Sequence, residues 1–168
     1  MEMDEKVQKH LALGHKYYFG EPRNVAAAAR EFRRVTVLAP TWDEGYGWLS
    51  SALEEINQID EAISARREAM RLAPKDARHP ISLGVIFQRR HECAKAIKML
   101  RKGISLKPHY GEADAHLFLA ESLFANGQME EARQEWQFVL TLEPMYPSYK
   151  EPHKEAKRML ENTDGLCP

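Results

Sequence analysis

Apolar residues recur along this chain at helical spacing, and prolines interrupt the pattern at nearly constant intervals. Leucines, alanines and aromatic residues fall at matching offsets between Pro40, Pro74, Pro108 and Pro144, which stand 34, 34 and 36 residues apart. Proline has no amide hydrogen and disfavours helix in the residue before it, so each one marks the end of a helix. The pattern predicts an array of similar helical repeats.

Each repeat is predicted to contain two antiparallel helices joined by a short turn. Helices approach closely where side chains are small, and small residues recur where the second helix would cross the first: Ala28, Ala62, Ala96 and Ala132. The turn inside each repeat needs a residue that tolerates positive φ. The candidates are Gly20, Asn57, His91 and Gly127.

When the repeats are aligned on the prolines, they share a pattern of large and small residues. The first carries Leu13, Gly14, Tyr17, Ala28, Phe32 and Pro40; the third carries Leu83, Gly84, Phe87, Ala96, Leu100 and Pro108. The second carries Tyr46, Leu49, Leu53, Ala62, Ala69 and Pro74; the fourth carries Leu119, Ala120, Leu123, Ala132, Trp136 and Pro144. These phrases resemble the tetratricopeptide repeat. Arg66 replaces an aromatic residue, Ser50 and Ala120 replace glycine, and the first repeat has two extra residues in its turn.

The resemblance implies an all-α fold, a right-handed α-solenoid of four helix-turn-helix repeats with a C-terminal capping helix. One domain, 1–168, would hold repeats at about 7–42, 43–76, 77–110 and 113–146, a capping helix at about 148–162 and a short tail at 163–168. Two S/T-x-x-E boxes predict helix starts: Thr41 with Glu44, and Ser148 with Glu151. Because Pro152 falls in the first turns of the last helix, Glu151 is an alternative start.

Tetratricopeptide arrays line a concave groove with the first helix of each repeat, so the resemblance also implies a peptide-binding face. Carried over position by position, its residues are Leu11, His15, Tyr18, Phe19, Trp48, Ser51, Arg78, Ile81, Val85, Arg89, Leu117, Phe118, Glu121 and Phe124. This face is unusually apolar and suits an amphipathic helix or an extended peptide with bulky anchors. Trp48 and Phe118 are the predicted anchors. The alternative is that some of these aromatics pack in the core.

One function of the family is not expected here. Arrays that grip the C-terminal carboxylate of heat-shock chaperones use lysine, arginine and asparagine at fixed groove positions. Among the corresponding positions of this chain only Arg78 carries a suitable cation. A carboxylate buried without cations is costly, so this mode of binding is disfavoured.

The net charge of −1 conceals an alternation between repeats. Residues 7–40 carry +4, 41–76 carry −4, 77–110 carry +7 and 111–146 carry −6. One interpretation is that adjacent repeats attract one another across their exposed faces. The other is that the third repeat presents a basic patch to an acidic partner. Nucleic acid is disfavoured as that partner, because the flanking acidic repeats repel phosphate.

Catalysis finds no support in the motifs. There is no glycine-rich phosphate loop, no H-E-x-x-H and no nucleophile elbow. His91, Glu92 and Cys93 form the one tight cluster of metal-ligand types, but consecutive turn residues do not converge on one ion, so a solvated loop is expected. The sequence therefore predicts no enzyme, cofactor or metal site.

Length and composition suit one cytoplasmic domain. No apolar run is long enough to cross a membrane, the acidic start does not resemble a signal peptide, and the two cysteines form no disulfide framework. We expect a non-catalytic scaffold or adaptor that binds another protein. The alternative is a homo-oligomer that assembles through its uncapped N-terminal repeat and alternating charged faces.

Overall fold

The computed structural model describes residues 4–108, 111–143 and 151–164, and these residues form nine α-helices and no strands. The helices are α1 Glu5–Phe19, α2 Val25–Leu38, α3 Asp43–Glu55, α4 Ile59–Leu72, α5 Arg78–Arg89, α6 Cys93–Ser105, α7 Glu112–Ala125, α8 Met129–Thr141 and α9 Pro152–Asp164. The predicted all-α class is confirmed. No helix in the described ranges is long and apolar enough to cross a membrane.

The chain divides into two compact units, Met1–Lys75 and Asp76–Pro168. In the N-terminal unit α1 packs on α2, α2 on α3, and α3 on α4. Its core contains Ala28, Phe32, Ala52, Leu53 and Ala62, all of them fully or almost fully buried. The unit thus consists of two helical hairpins whose shared core comes from α2, α3 and α4, and partly buried side chains of α1 pack against it.

The C-terminal unit contains α5 to α9. Here α5 packs on α6, α6 on α7, and α7 on α8, while α9 packs on both α7 and α8. Helix α7 is therefore covered on several sides, which explains why it carries apolar side chains around most of its circumference. The predicted helix start at Ser148 lies outside the described residues. Within them α9 begins at Pro152, and proline is well suited to the first turn because its missing amide hydrogen would have no partner there.

Small residues allow the two helices of each hairpin to approach closely. Ala28, Ala62, Ala96 and Ala132 are completely buried. A Cβ added to Gly14 would lie 2.5 Å from Cε1 of Phe32, and one added to Gly84 would lie 2.6 Å from Cγ of Leu100. In the second repeat Ser50 replaces the glycine, and its hydroxyl donates to the carbonyl of Ala62 at 2.9 Å. In the first and third hairpins a glycine therefore makes room for a larger side chain, and in the second a serine bonds to the facing backbone.

Three of the four predicted turn residues have positive φ: Asn57 at 62°, His91 at 58° and Gly127 at 79°. The prediction for Gly20 is wrong, since its φ is −81° and its ψ is 173°. The first turn is two residues longer, and the chain leaves α1 in an extended conformation instead of folding back at once. Glycine is still required there, because a Cβ would lie 2.3 Å from the carbonyl oxygen of Lys16.

The predicted cap at Thr41 is also wrong. Helix α3 starts at Asp43, its N-cap residue is Trp42, and no side chain caps it. Thr41 precedes that position by one residue, so its hydroxyl is not placed to accept from the first amides; Asp43 and Glu44 favour the start through the helix dipole instead. Side-chain caps occur at the two preceding helices, where Asp4 accepts from the amide of Lys6 and Asn24 from that of Ala27.

We predict that Gly84→Ala destabilises the protein by about 1–2 kcal/mol. Helix propensity alone would favour alanine by about 1 kcal/mol, but the new methyl group would overlap Leu100 in a filled core. Ser82→Ala, two residues earlier in α5, is the control without added volume. Urea denaturation measures both. A Gly84→Ala variant as stable as the control would contradict the account of this crossing.

Candidate functional site

An aromatic cluster joins the first three helices of the N-terminal unit. Its members are His15, Tyr18 and Phe19 from α1, Phe32 from α2, and Trp48 from α3. Phe32 stacks on Trp48 with ring centroids 5.9 Å apart and planes inclined by 23°. Phe19 meets Trp48 edge-on at 5.8 Å and Tyr18 edge-on at 4.8 Å. These are favourable geometries for aromatic pairs, so the cluster holds its own rings in place.

The cluster is buried at one end and open at the other. Phe32 is completely buried and forms its floor, whereas Phe19 is 65% exposed. Tyr18, Trp48 and Leu11 are partly buried and pack against the core of this unit. Four of the predicted binding residues, His15, Tyr18, Phe19 and Trp48, therefore lie together in the cluster. Leu11, Tyr18 and Trp48 also pack against the core.

His15 belongs to the cluster as a neutral ring. Burial lowers the pKa of its imidazole, so the ring is uncharged at neutral pH. Its centroid lies 4.7 Å from that of Trp48 in an edge-on arrangement. The buried Nε2 atom has no hydrogen-bond partner, and the imidazole acts here mainly as a flat apolar surface.

Polar groups close one edge of the cluster. The hydroxyl of Tyr18 donates to the carboxylate of Glu55. Arg23, from the turn between α1 and α2, places its guanidinium 4.9 Å from the centroid of the Tyr18 ring and 2.6 Å from the Glu55 carboxylate. Burial, and then the bond to Glu55, raises the pKa of Tyr18 well above its usual value. The phenol therefore remains a hydrogen-bond donor at physiological pH.

Ser51 is committed to internal hydrogen bonds. Its hydroxyl donates to the carbonyl of Gly47 at 3.2 Å and accepts from Arg66 at 3.1 Å. Arg66, the departure from the repeat pattern, is only 6% exposed and also donates to Gly47. Ser51 thus helps to satisfy a buried guanidinium, which leaves little of its polarity for a partner.

The predicted binding residues of the C-terminal unit lie on α5 and α7. Phe124 is 37% exposed and packs on the buried Trp136 with centroids 5.7 Å apart. Phe118, Ile81 and Val85 are partly buried. Glu121 accepts from the side chain of Gln88 at 2.8 Å, which links the two helices.

The two predicted arginines of this unit are exposed. Arg78 forms a close ion pair with Asp76 at 2.6 Å, and Arg89 lies at the end of α5.

The prediction for Leu117 is wrong, because its side chain has no exposed surface. Helix α7 is covered on the side of Leu117, so this residue belongs to the core and cannot contact a partner.

Comparison with known proteins agrees with the helical geometry. Residues 43–76 match the family model described as the tetratricopeptide repeat. This part of the chain is a tetratricopeptide repeat. A search among curated proteins found no significant match.

Several solved structures are similar to this chain over most of its length. A crystal structure of MamA aligns with a TM-score of 0.74 at 27% identity, over 90% of this chain and 81% of that one. MamA 41-end from Desulfovibrio magneticus RS-1 aligns with a TM-score of 0.76 at 16% identity, over 98% and 97% of the two chains. The TPR2B domain of yeast Sti1, solved in complex with pHsp70, aligns with a TM-score of 0.60 at 17% identity, over 79% and 99%.

Arg23 and Glu55 were not among the predicted binding residues. They come to Tyr18 from the turn after α1 and from the end of α3, five and 37 positions away along the chain. The sequence offered one signal for Arg23, because the first turn, in which it lies, is two residues longer than the turns of the other repeats.

Ion pairs connect neighbouring repeats within each unit. Arg33 of the first repeat contacts Glu61 of the second at 2.6 Å, and Arg101 of the third repeat pairs with Glu131 of the fourth. In each unit one such pair therefore joins repeats of opposite net charge, as the interpretation of mutual attraction expects. These pairs are exposed, so each contributes at most about 1 kcal/mol.

Proposed function

We propose that this protein is a non-catalytic scaffold or adaptor that binds a peptide or helix of another protein. The binding surface would be the face carried by the first helices of its repeats. The observation that carries the proposal is the aromatic cluster, in which an exposed Phe19 stands beside the partly buried Tyr18 and Trp48. A single exposed apolar residue needs no explanation, but a contiguous aromatic surface is typical of an interaction site.

The packing of the cluster favours binding. Phe32 is fixed in the core and stacks beneath Trp48, and Trp48 in turn contacts Phe19. Because the rings are already ordered, a partner that packs on them loses little additional side-chain entropy from this side. Burying apolar surface contributes roughly 25 cal/mol per Å², so one bulky side chain of the partner would supply a substantial part of the affinity.

The C-terminal unit would contribute a second apolar surface, around Phe118, Val85 and Phe124. Charged residues such as Arg89 and Glu121 accompany it. Charges of this kind influence orientation and association rate more than affinity. A partner held on such a surface would be an extended peptide or a helix with bulky anchors.

We do not expect the partner to be recognised by a C-terminal carboxylate. The positions that would supply cations for such a clamp hold Leu11, the neutral His15 and Trp48, while Arg78 already pairs with Asp76. An unpaired carboxylate on this apolar face would lose its hydration without compensation. We also propose a cytoplasmic location, with which the unpaired Cys93 is compatible.

We predict that Phe19→Ala lowers the affinity for the partner recovered from the native source by about tenfold or more, because it removes the most accessible ring of the cluster. Fluorescence anisotropy or calorimetry with the purified partner measures the effect. Phe138→Ala is the matched control, since Phe138 is equally a phenylalanine with a large exposed fraction but lies on α8, a second helix. Equal affinities of both variants and the unmodified protein would refute the proposed surface.

A second candidate function, self-assembly, is supported by an apolar patch on α2. Val37 is 73% exposed and Leu38 is also exposed. They line a cleft of about 500 Å³ together with His10, Arg30, Arg33 and Arg34. Helix α8 exposes Phe138 and Leu140 and also carries Glu130 at its start, so it offers apolar and acidic side chains for contact with α2 of another copy.

If self-assembly is the function, the mass measured by light scattering should fall towards that of the monomer as salt rises from about 0.05 to 0.5 M, because screening weakens contacts between exposed charges. Val37→Ser should shift the equilibrium further towards the monomer at every salt concentration. A monomeric mass throughout the series would exclude this second candidate.

A further inference from the structure

We propose that Tyr18 and Glu55 form a binding site for the cationic side chain of an arginine or lysine, and that Arg23 occupies this site as an internal stand-in. The inference rests on the proposed function, because the cation would come from the partner segment bound beside Phe19. It adds that the partner segment carries a basic residue next to a bulky apolar one.

Arg23 makes three different contacts with the site. Its charged carbon lies 4.9 Å from the centroid of the Tyr18 ring. One terminal nitrogen lies 2.6 Å from the Glu55 carboxylate, and Nε donates to the carbonyl of Tyr18 at 2.7 Å. An aromatic face, a carboxylate and a carbonyl at these distances are the groups with which proteins bind guanidinium and ammonium ions.

Acidic residues act on the Tyr18 hydroxyl from two positions. Glu55 accepts a hydrogen bond from it, and the charges of Glu55 and Glu54 raise the pKa of that group, whereas the charge of Arg23 lowers it. The Glu55 carboxylate beside the ring favours a cationic ligand over an acidic one.

The aromatic and acidic parts of the site are fixed, whereas Arg23 is replaceable. The Tyr18 ring is held by Phe19, Phe32 and Trp48, and its hydroxyl is held by Glu55. The Arg23 side chain is 50% exposed and comes from a turn. Exposed ion pairs and cation–π contacts are weak, so a partner cation that gains further contacts on Phe19 can displace Arg23 into solvent.

If Arg23 competes with the partner cation for this site, its removal has an effect opposite to that of removing an ordinary binding residue. Removal of Arg23 should strengthen the binding of an external cation, whereas removal of an ordinary binding arginine would weaken binding of its ligand. The probe is Nα-acetyl-arginine amide, with Nα-acetyl-citrulline amide as its uncharged isostere. The variants are Arg23→Ala and, as a matched loss of one exposed arginine from the same unit, Arg67→Ala on α4.

Chemical-shift titration of the full chain measures the dissociation constants. We expect the arginine derivative to bind Arg23→Ala about two- to fivefold more tightly than the unmodified protein or Arg67→Ala, the range that a cation–π contact at an exposed site provides. The shifts should concentrate on Tyr18 and Phe19. The citrulline derivative should bind neither variant nor the unmodified protein measurably. Adding Glu55→Gln to Arg23→Ala should abolish the increase in affinity for the arginine derivative.

Equal affinity of Arg23→Ala and Arg67→Ala would overturn the inference, as would equal binding of arginine and citrulline. Circular dichroism verifies that each variant is folded. The titration uses no protein partner, so its failure leaves the result for Phe19→Ala unaffected. Conversely, a cation site detected here would persist even if that variant bound the native partner normally.

Discussion

The close approach of the two helices in each hairpin is the constraint on which the rest of the structure depends. Completely buried alanines occupy the second helix of every repeat, and Gly14 and Gly84 leave room on the first helix for Phe32 and Leu100. A methyl group added at either glycine would collide with a buried side chain. Because the two helices of a hairpin pack together at these positions, the 34-residue period of the sequence is also the spacing between successive hairpins.

The same constraint connects the core to the candidate site. Phe32 fills the space that Gly14 leaves, and its ring also stacks on Trp48. Trp48 then supports the exposed Phe19. One buried phenylalanine therefore both closes the first hairpin and orders the surface proposed for a partner. This arrangement explains why an aromatic face can be exposed in part and yet remain rigid.

The sequence predicted those features that local geometry determines. Small residues at crossings, positive φ at Asn57, His91 and Gly127, and helix ends before proline all follow from the properties of single residues. The predictions that were wrong depend on what surrounds a residue in the folded chain. Gly20 lies in a longer turn with a different path, α3 starts beyond the reach of Thr41, and Leu117 has its side covered by neighbouring helices. Sequence position alone did not specify these surroundings.

The polar edge of the aromatic cluster was beyond prediction for a related reason. Tyr18, Arg23 and Glu55 meet only because α1, its turn and α3 converge in the folded N-terminal unit, and no repeat phrase contains all three. Likewise, the replacement of an aromatic residue by Arg66 could be recognised in the sequence, but its hydrogen bonds to Gly47 and Ser51 could not. Such contacts depend on side-chain direction, which a one-dimensional pattern does not record.

Side-chain footprinting by hydroxyl radicals, with and without the partner recovered from the native source, tests the central claim most directly. The account predicts that the partner protects Tyr18, Phe19 and Phe124, which lie on first helices, while Val37, Phe138 and Leu140 on second helices remain as reactive as in the free protein. Protection confined to the second helices, with unchanged reactivity at Phe19, would contradict it.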